Sequence, residues 1–287
     1  METAITRFMK ACGMLLLLTL TGSAIAATYT GIDCPDAALT VARAINDRGD
    51  IVGHCATNSA HGFRLRKGEF ELIDFPDATD TLAMGTNNLG HVVGFYFDQL
   101  GAVHGYLLRN GQFKTIEPPG SVAAYGLGID DLGRIVGAYL NGNDQFQGFI
   151  LDSHGYRDVT VPEAAFTATH AIDVLGRTAG AFRDADGQRQ RGFYFRNGNF
   201  MPIDHPAGEG TRAFGVNILG HVVGGWSADP DCSNCFTNAF LFRSGKYRAL
   251  EFPGAHETVA YGINTIGRIV GSYFGVDEKF HGFIRDP

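Results

Sequence analysis

The chain has 287 residues, with 30 acidic against 23 basic side chains and a formal net charge of −7. That balance excludes a nucleic-acid binder, which needs a basic surface to neutralise phosphates. The 39 glycines are about twice the ordinary share of ~7%, and they fall at recurring turns rather than in a low-complexity tract.

Residues 1–26 carry Arg7 and Lys10, an apolar run over 14–20 and the small-residue ending Ala24-Ile25-Ala26. This is the pattern of an export signal cut after Ala26, so the mature chain is expected to be secreted or periplasmic in a bacterium. No second apolar segment follows, and no transmembrane segment is expected after cleavage. Residues 27–287 are expected to form one domain.

Residues 28–40, TYTGIDCPDAALT, look like the back end of a motif whose front end lies at the C-terminus. From Thr40 onward one pattern recurs: an inner segment ending in Gly-Ile-Asn, a turn, Ile-Val-Gly, a polar stretch, His-Gly-Phe, a turn, then Ile-Asp-x-Pro. The first turn glycines are Gly49, Gly90, Gly133, Gly176, Gly220 and Gly267, spaced 41 to 47 residues apart. A period of this length with four short strands per unit is a propeller signature. The expected fold is therefore all-β, a six-bladed β-propeller with four-stranded blades. The blades fall at about 41–80, 81–122, 123–166, 167–210, 211–257, and 258–287 plus 27–40. The split sixth repeat predicts that the N-terminal strand pairs with residues 281–285 and closes the ring, since an unpaired edge invites aggregation.

Each repeat resolves into strands a to d from the axis outward. Strand a ends in Asn or Asp, with Gly three residues on, as in Asn46-Asp47-Arg48-Gly49, which predicts a capped type I turn. Strand b is the Ile-Val-Gly run; its glycine predicts a close backbone approach or a bulge. Asn110-Gly111 and Asn197-Gly198 predict tight hairpins between strands c and d.

The whole pattern over 27–287 resembles the bacterial extracellular HAF-type repeat family, whose units combine Gly-Ile-Asn, Val-Val-Gly and His-Ala-Phe behind an export signal. Here the last tripeptide stands as His61-Gly62-Phe63, His104-Gly105-Tyr106 and His281-Gly282-Phe283, and as Asn238-Ala239-Phe240 in blade five. The resemblance implies a secreted propeller-like protein and brings no settled activity with it.

Catalytic signatures are missing: there is no nucleophile elbow, no phosphate loop and no zinc-protease helix. His61, His104, His281, His91 and His221 recur at repeat positions, which marks them as framework. Cys232-Ser233-Asn234-Cys235 suits a local disulfide, a redox pair or half a zinc site; Cys34 and Cys55 suit a staple across the seam. Asp184 and Asp186 start a loop resembling a calcium loop, without its later Glu; otherwise no cofactor is expected.

Positions that break the repeat are the candidates for binding. The loops from strand d to the next strand a place Asp36, Asp77, Asp80, Glu163, Glu209 and Glu257 near the mouth of the channel, together with His256. The third position of strand a, beside the channel, is Arg43, Met84, Leu127, His170, Phe214 or Tyr261, and Tyr125 and Arg212 open their own inner strands. The ligand-binding candidates are therefore Arg43, Asp77, Asp80, Tyr125, Glu163, His170, Arg212, Glu257 and Tyr261. Three functions fit: a monomeric binding or scaffold module for a glycan, peptide or envelope component, a lyase or hydrolase using His170 or His256 as base at an acidic mouth, or a purely structural role in an extracellular matrix, which would need only the ring.

Overall fold

A computed structural model describes residues 27–196, 198–228 and 237–287. The expected export signal, Asn197 of the hairpin turn, and Cys232 and Cys235 lie outside the described residues. The chain is a six-bladed β-propeller. Its six sheets are four-stranded and antiparallel, and five of them run in simple sequence order. The inner strands are Leu39–Ile45, Asp80–Thr86, Ser121–Ile129, Phe166–Ile172, Gly210–Val216 and Glu257–Ile263. Strand c of each blade buries one aromatic completely: Phe63, Tyr106, Phe149, Phe193, Phe240 or Phe283. Such rings supply much of the apolar area between neighbouring sheets. Among the described residues no helix is long and apolar enough to cross a membrane.

The sixth sheet closes the ring in the way the split repeat implied. Tyr29–Ile32 pairs antiparallel with Phe280–Arg285, matching Tyr29 to Arg285 and Ile32 to Gly282. The structure joins Cys34, just past the sealing strand, to Cys55 in strand b of blade one, with Cα atoms 6.3 Å apart. Asp33 accepts a hydrogen bond from His281 Nδ1 at 2.8 Å.

The residue ending each inner strand does more than cap its turn. Asn46 Oδ1 accepts from the backbone N–H groups of Arg48 and Asp50, and its amide donates to the Asn87 carbonyl of the next blade at 3.0 Å. Asn87 donates to Asp130 O, Asn217 to Asn264 O, and Asn264 to Asn46 O across the seam. Asp130 and Asp173 have no amide to give. In their blades an arginine four residues on pairs with the carboxylate and donates in its place: Arg134 to Asp173 O at 3.0 Å and Arg177 to Asn217 O at 3.1 Å. A closed hydrogen-bonded circuit thus runs through all six blades.

Arg177→Met should therefore cost about 3–5 kcal/mol, because it strands the buried Asp173 carboxylate as well as cutting one link. Asp173→Asn combined with Arg177→His, the pairing seen at Asn217 and His221, should recover most of the loss in denaturant unfolding. A double variant no more stable than the single one would refute the substitution logic.

Candidate functional site

Every inner strand carries a β-bulge at the same place. Pairing with strand b slips between Ala42 and Ala44, Ala83 and Gly85, Gly126 and Gly128, Thr169 and Ala171, Ala213 and Gly215, and Ala260 and Gly262. An extra residue at a bulge is re-aimed relative to the regular alternation. The residues skipped are Arg43, Met84, Leu127, His170, Phe214 and Tyr261, and all six line one central cavity of about 300 Å³.

The cavity has two unlike sides. From blade one round to blade four runs a continuous cationic and aromatic wall. The Arg43 guanidinium lies 4.2 Å from the Tyr261 ring centroid, Tyr261 stands edge-on to Phe214 at 5.0 Å, and Phe214 lies 5.1 Å from His170. Arg212 joins this wall. Met84 and Leu127, from blades two and three, form the apolar side. Below the cavity the channel is lined by the hydrogen-bonded turns, including Asp47, Asp130, Asp131 and Asp173.

His170 Nδ1 donates to the Ala213 carbonyl at 3.0 Å, which leaves Nε2 without the proton in the neutral ring. Burial and then the Arg212 charge hold its pKa down to about 4, the Ala213 bond raising it and Arg43 lowering it further. His54, packed in strand b of blade one, is pushed to about 3 by burial and then by Arg43. Both folded-state values lie below the ordinary one, so the unfolded chain takes up protons first as pH falls. Their stabilisation is complete above pH ~6.5 and is lost toward pH ~4, at about 1.4 kcal/mol per pH unit for each group. His281 works the other way: burial lowers its pKa, but Asp277 and Asp33 together raise it above the usual value. A net loss of about 1–3 kcal/mol is expected between pH 6.5 and 5.5, measured by denaturant unfolding, and His54→Leu should flatten the slope. Stability unchanged across that range would contradict it.

The acidic candidates do not reach the cavity. No Asp or Glu lines the cavity among the described residues. Asp36, Asp77 and Glu163 each follow a proline with φ near +60°, the place held by Gly120 and Gly254 in two other blades. Backbone bonds such as Ala78 N–H to Phe75 O close these turns. The acids therefore sit at the third position of type II turns, at the outer end of their loops, and Asp77 and Glu163 are exposed. Asp80 accepts from the Ala60 N–H at 2.8 Å and ties blade two to blade one. Glu209 uses its backbone, donating to Ser227 O and accepting from Arg189. Glu257 opens its inner strand away from the cavity lining, and His256 is exposed beside Phe274. The base expected at an acidic mouth thus has no acidic partner: His170 meets a carbonyl and two arginines, and His256 stands outside.

Tyr125 also lies off the cavity lining. Its ring stands between Phe95 at 5.0 Å and Phe146 at 6.0 Å, in a half-buried row that continues to Phe97 and Phe166. Tyr125 and Arg212 hold the same repeat position, so the row lies at the end of the channel where Arg212 enters. The row was not expected from the sequence. Its signal was there, however: Phe95 stands where the other blades put His54, Ala138, Ala181, Gly225 or Ser272.

The framework histidines are clamps. His61 bridges Ser59 and Asp74, His104 bridges Asp98 and Glu117, and His281 bridges Asp277 and Asp33. In blade four Arg191 takes this place between Asp184 and Asp204. Asp184 of the calcium-like loop is thus within ion-pair distance of Arg191, while Asp186 accepts from the Gln188 N–H. No group of three or more possible metal ligands occurs among the described residues.

No family model and no curated protein matches the chain. Solved structures do. The Hadza microbial sialidase Hz136 is similar at 10% identity over 86% of this chain and 65% of its own, with a TM-score of 0.54. AofleA from Arthrobotrys oligospora is similar at 12% identity over 90% and 82%, with a TM-score of 0.50. The Aleuria aurantia lectin, described as a six-bladed β-propeller with a novel fucose recognition mode, is similar at 8% identity over 85% and 90%, with a TM-score of 0.50. At such identities the likeness is one of fold alone.

Proposed function

We propose that the protein is an exported binding module of the HAF-type repeat kind that holds a glycan at its loop face, with one residue of the ligand in the central cavity. The observation that carries this is the row of bulges. Six positions free to repeat instead hold six different side chains, and all six are aimed into a single cavity. A purely structural ring would need no such variety. The aromatic row beside the mouth offers flat apolar surface of the kind on which sugar rings stack, and propeller lectins give the reading a precedent in the same fold.

The test is a glycan array probed with residues 27–287. Binding is expected, and Arg43→Ala and Tyr261→Ala should each weaken the best hit about tenfold or more, the loss of one well-placed buried contact. Binding that survives both changes intact would remove the cavity from the site.

A further inference from the structure

The protein is acidic overall, yet the wall of its central cavity is cationic. Local charge of the opposite sign to the whole is what a site built for one ligand class would show. We infer that the cavity binds an acidic sugar residue, with its carboxylate on Arg43 and Arg212 and its ring against Tyr261 and Phe214; this rests on the binding-module reading above and names its ligand class.

Arg43 supplies the first ground. Its guanidinium carbon lies over the Tyr261 ring, and its Nε is buried with no hydrogen-bond partner. A buried guanidinium N–H left unpaired is costly, and a planar carboxylate matches the guanidinium fork. The second ground is the composition of the wall: the described lining contains two arginines and no carboxylate. Burial and then the charge of Arg183 bring the Arg212 pKa down to about 10, with Tyr261 raising it and Arg43 lowering it. Arg212 therefore stays protonated at neutral pH while repelled by its neighbours, and an anion would relieve that repulsion. His170 is neutral there and adds no third charge.

Size and shape agree. A cavity of about 300 Å³ is at the small end for organic ligands and suits one sugar residue rather than a chain. Tyr261 and Phe214 face Met84 and Leu127 across it, so a ring would be held between aromatic and aliphatic surfaces while its charged group lies to one side.

The test is calorimetric titration of residues 27–287 with D-glucuronate, D-galacturonate and N-acetylneuraminate. Glucose, the methyl ester of glucuronate and glucose 6-phosphate serve as comparators. At least one acid is expected to bind, more weakly as sodium chloride is raised. The neutral comparators should bind about tenfold worse or not at all. Arg43→Gln should abolish binding, whereas Arg43→Lys, which keeps the charge without the fork, should retain part of it; thermal melting checks that each variant folds. If the ester binds as well as the acid, or a folded Arg43→Gln variant binds as well as the parent, the acidic-ligand assignment fails while a positive glycan array keeps the module reading. Binding of glucose 6-phosphate alone would overturn the carboxylate assignment. An array with no hits would bring down both readings. Should Arg43→Gln not fold, the acid-against-ester comparison on the parent protein decides.

Discussion

Removing residues 27–35 is expected to make the protein aggregate. Four backbone pairings with strand c of the last blade disappear, and Phe280–Arg285 becomes an open edge. Ile32 is buried, and Tyr29 packs on Phe252 and Phe283, each at 5.7 Å; burying such side chains stabilises by ~1.5–3 kcal/mol each. The same cut removes the Cys34–Cys55 bridge, worth ~2–4 kcal/mol, and the clamp between Asp33 and His281. Together these approach the ~5–15 kcal/mol that holds a domain folded. Cys34→Ser separates the contributions, since it removes the bridge and leaves the pairing: it should lower the melting temperature without causing aggregation. Size-exclusion chromatography and thermal melting of the two variants decide. A truncated protein that elutes without aggregates and melts where the parent does would mean that the strand is not the seal.

Gly137→Ala should be among the most damaging single changes in the molecule. A Cβ there would lie 1.9 Å from the Tyr125 carbonyl oxygen and 2.8 Å from the Phe149 ring. The bulge in the facing inner strand brings that carbonyl inward, so the glycine and the bulge require one another. Neither the backbone nor a fully buried ring can yield cheaply, and a loss of about 3 kcal/mol or more follows, which is about 10 °C in a domain of this size. Gly142→Ala is the control. Its Cβ would meet nothing within 4 Å, and the change should be near neutral. Equal melting temperatures for the two variants would show that the bulge does not need the glycine.

The ring, its blades and its seam were legible because a repeat reports architecture through positions that stay the same. The third position of strand a was legible for the opposite reason, since it varied where its neighbours did not. The bulge that makes this position face the channel left only the Ile-Val-Gly glycine as its trace. The acidic residues of these loops answer to backbone conformation rather than to charge. Laying PDAALT over PGSVAA places Asp36 against Gly120, and that exchange marks a left-handed turn residue rather than a ligand. The circuit between blades was half visible: Asp130 and Asp173 are each followed four residues later by arginine, but so is Asn264, whose Arg268 turns to Asp286 instead. What the sequence could not show is that the aspartate's arginine also reaches a carbonyl about 40 residues away.

The two ends of the channel differ in sign, and that makes it electrically one-sided. Arg43 and Arg212 stand at the loop end, while Asp47 and Asp131 lie at the turn end, where their carboxylates accept from Asn88 and Thr265. Both belong to one short bore, so the potential must climb along its axis from turn face to loop face. Within the bore an anion should therefore be favoured beside the two arginines over the turn end. The bore is therefore asymmetric in charge, although the backbone of the six blades repeats around it.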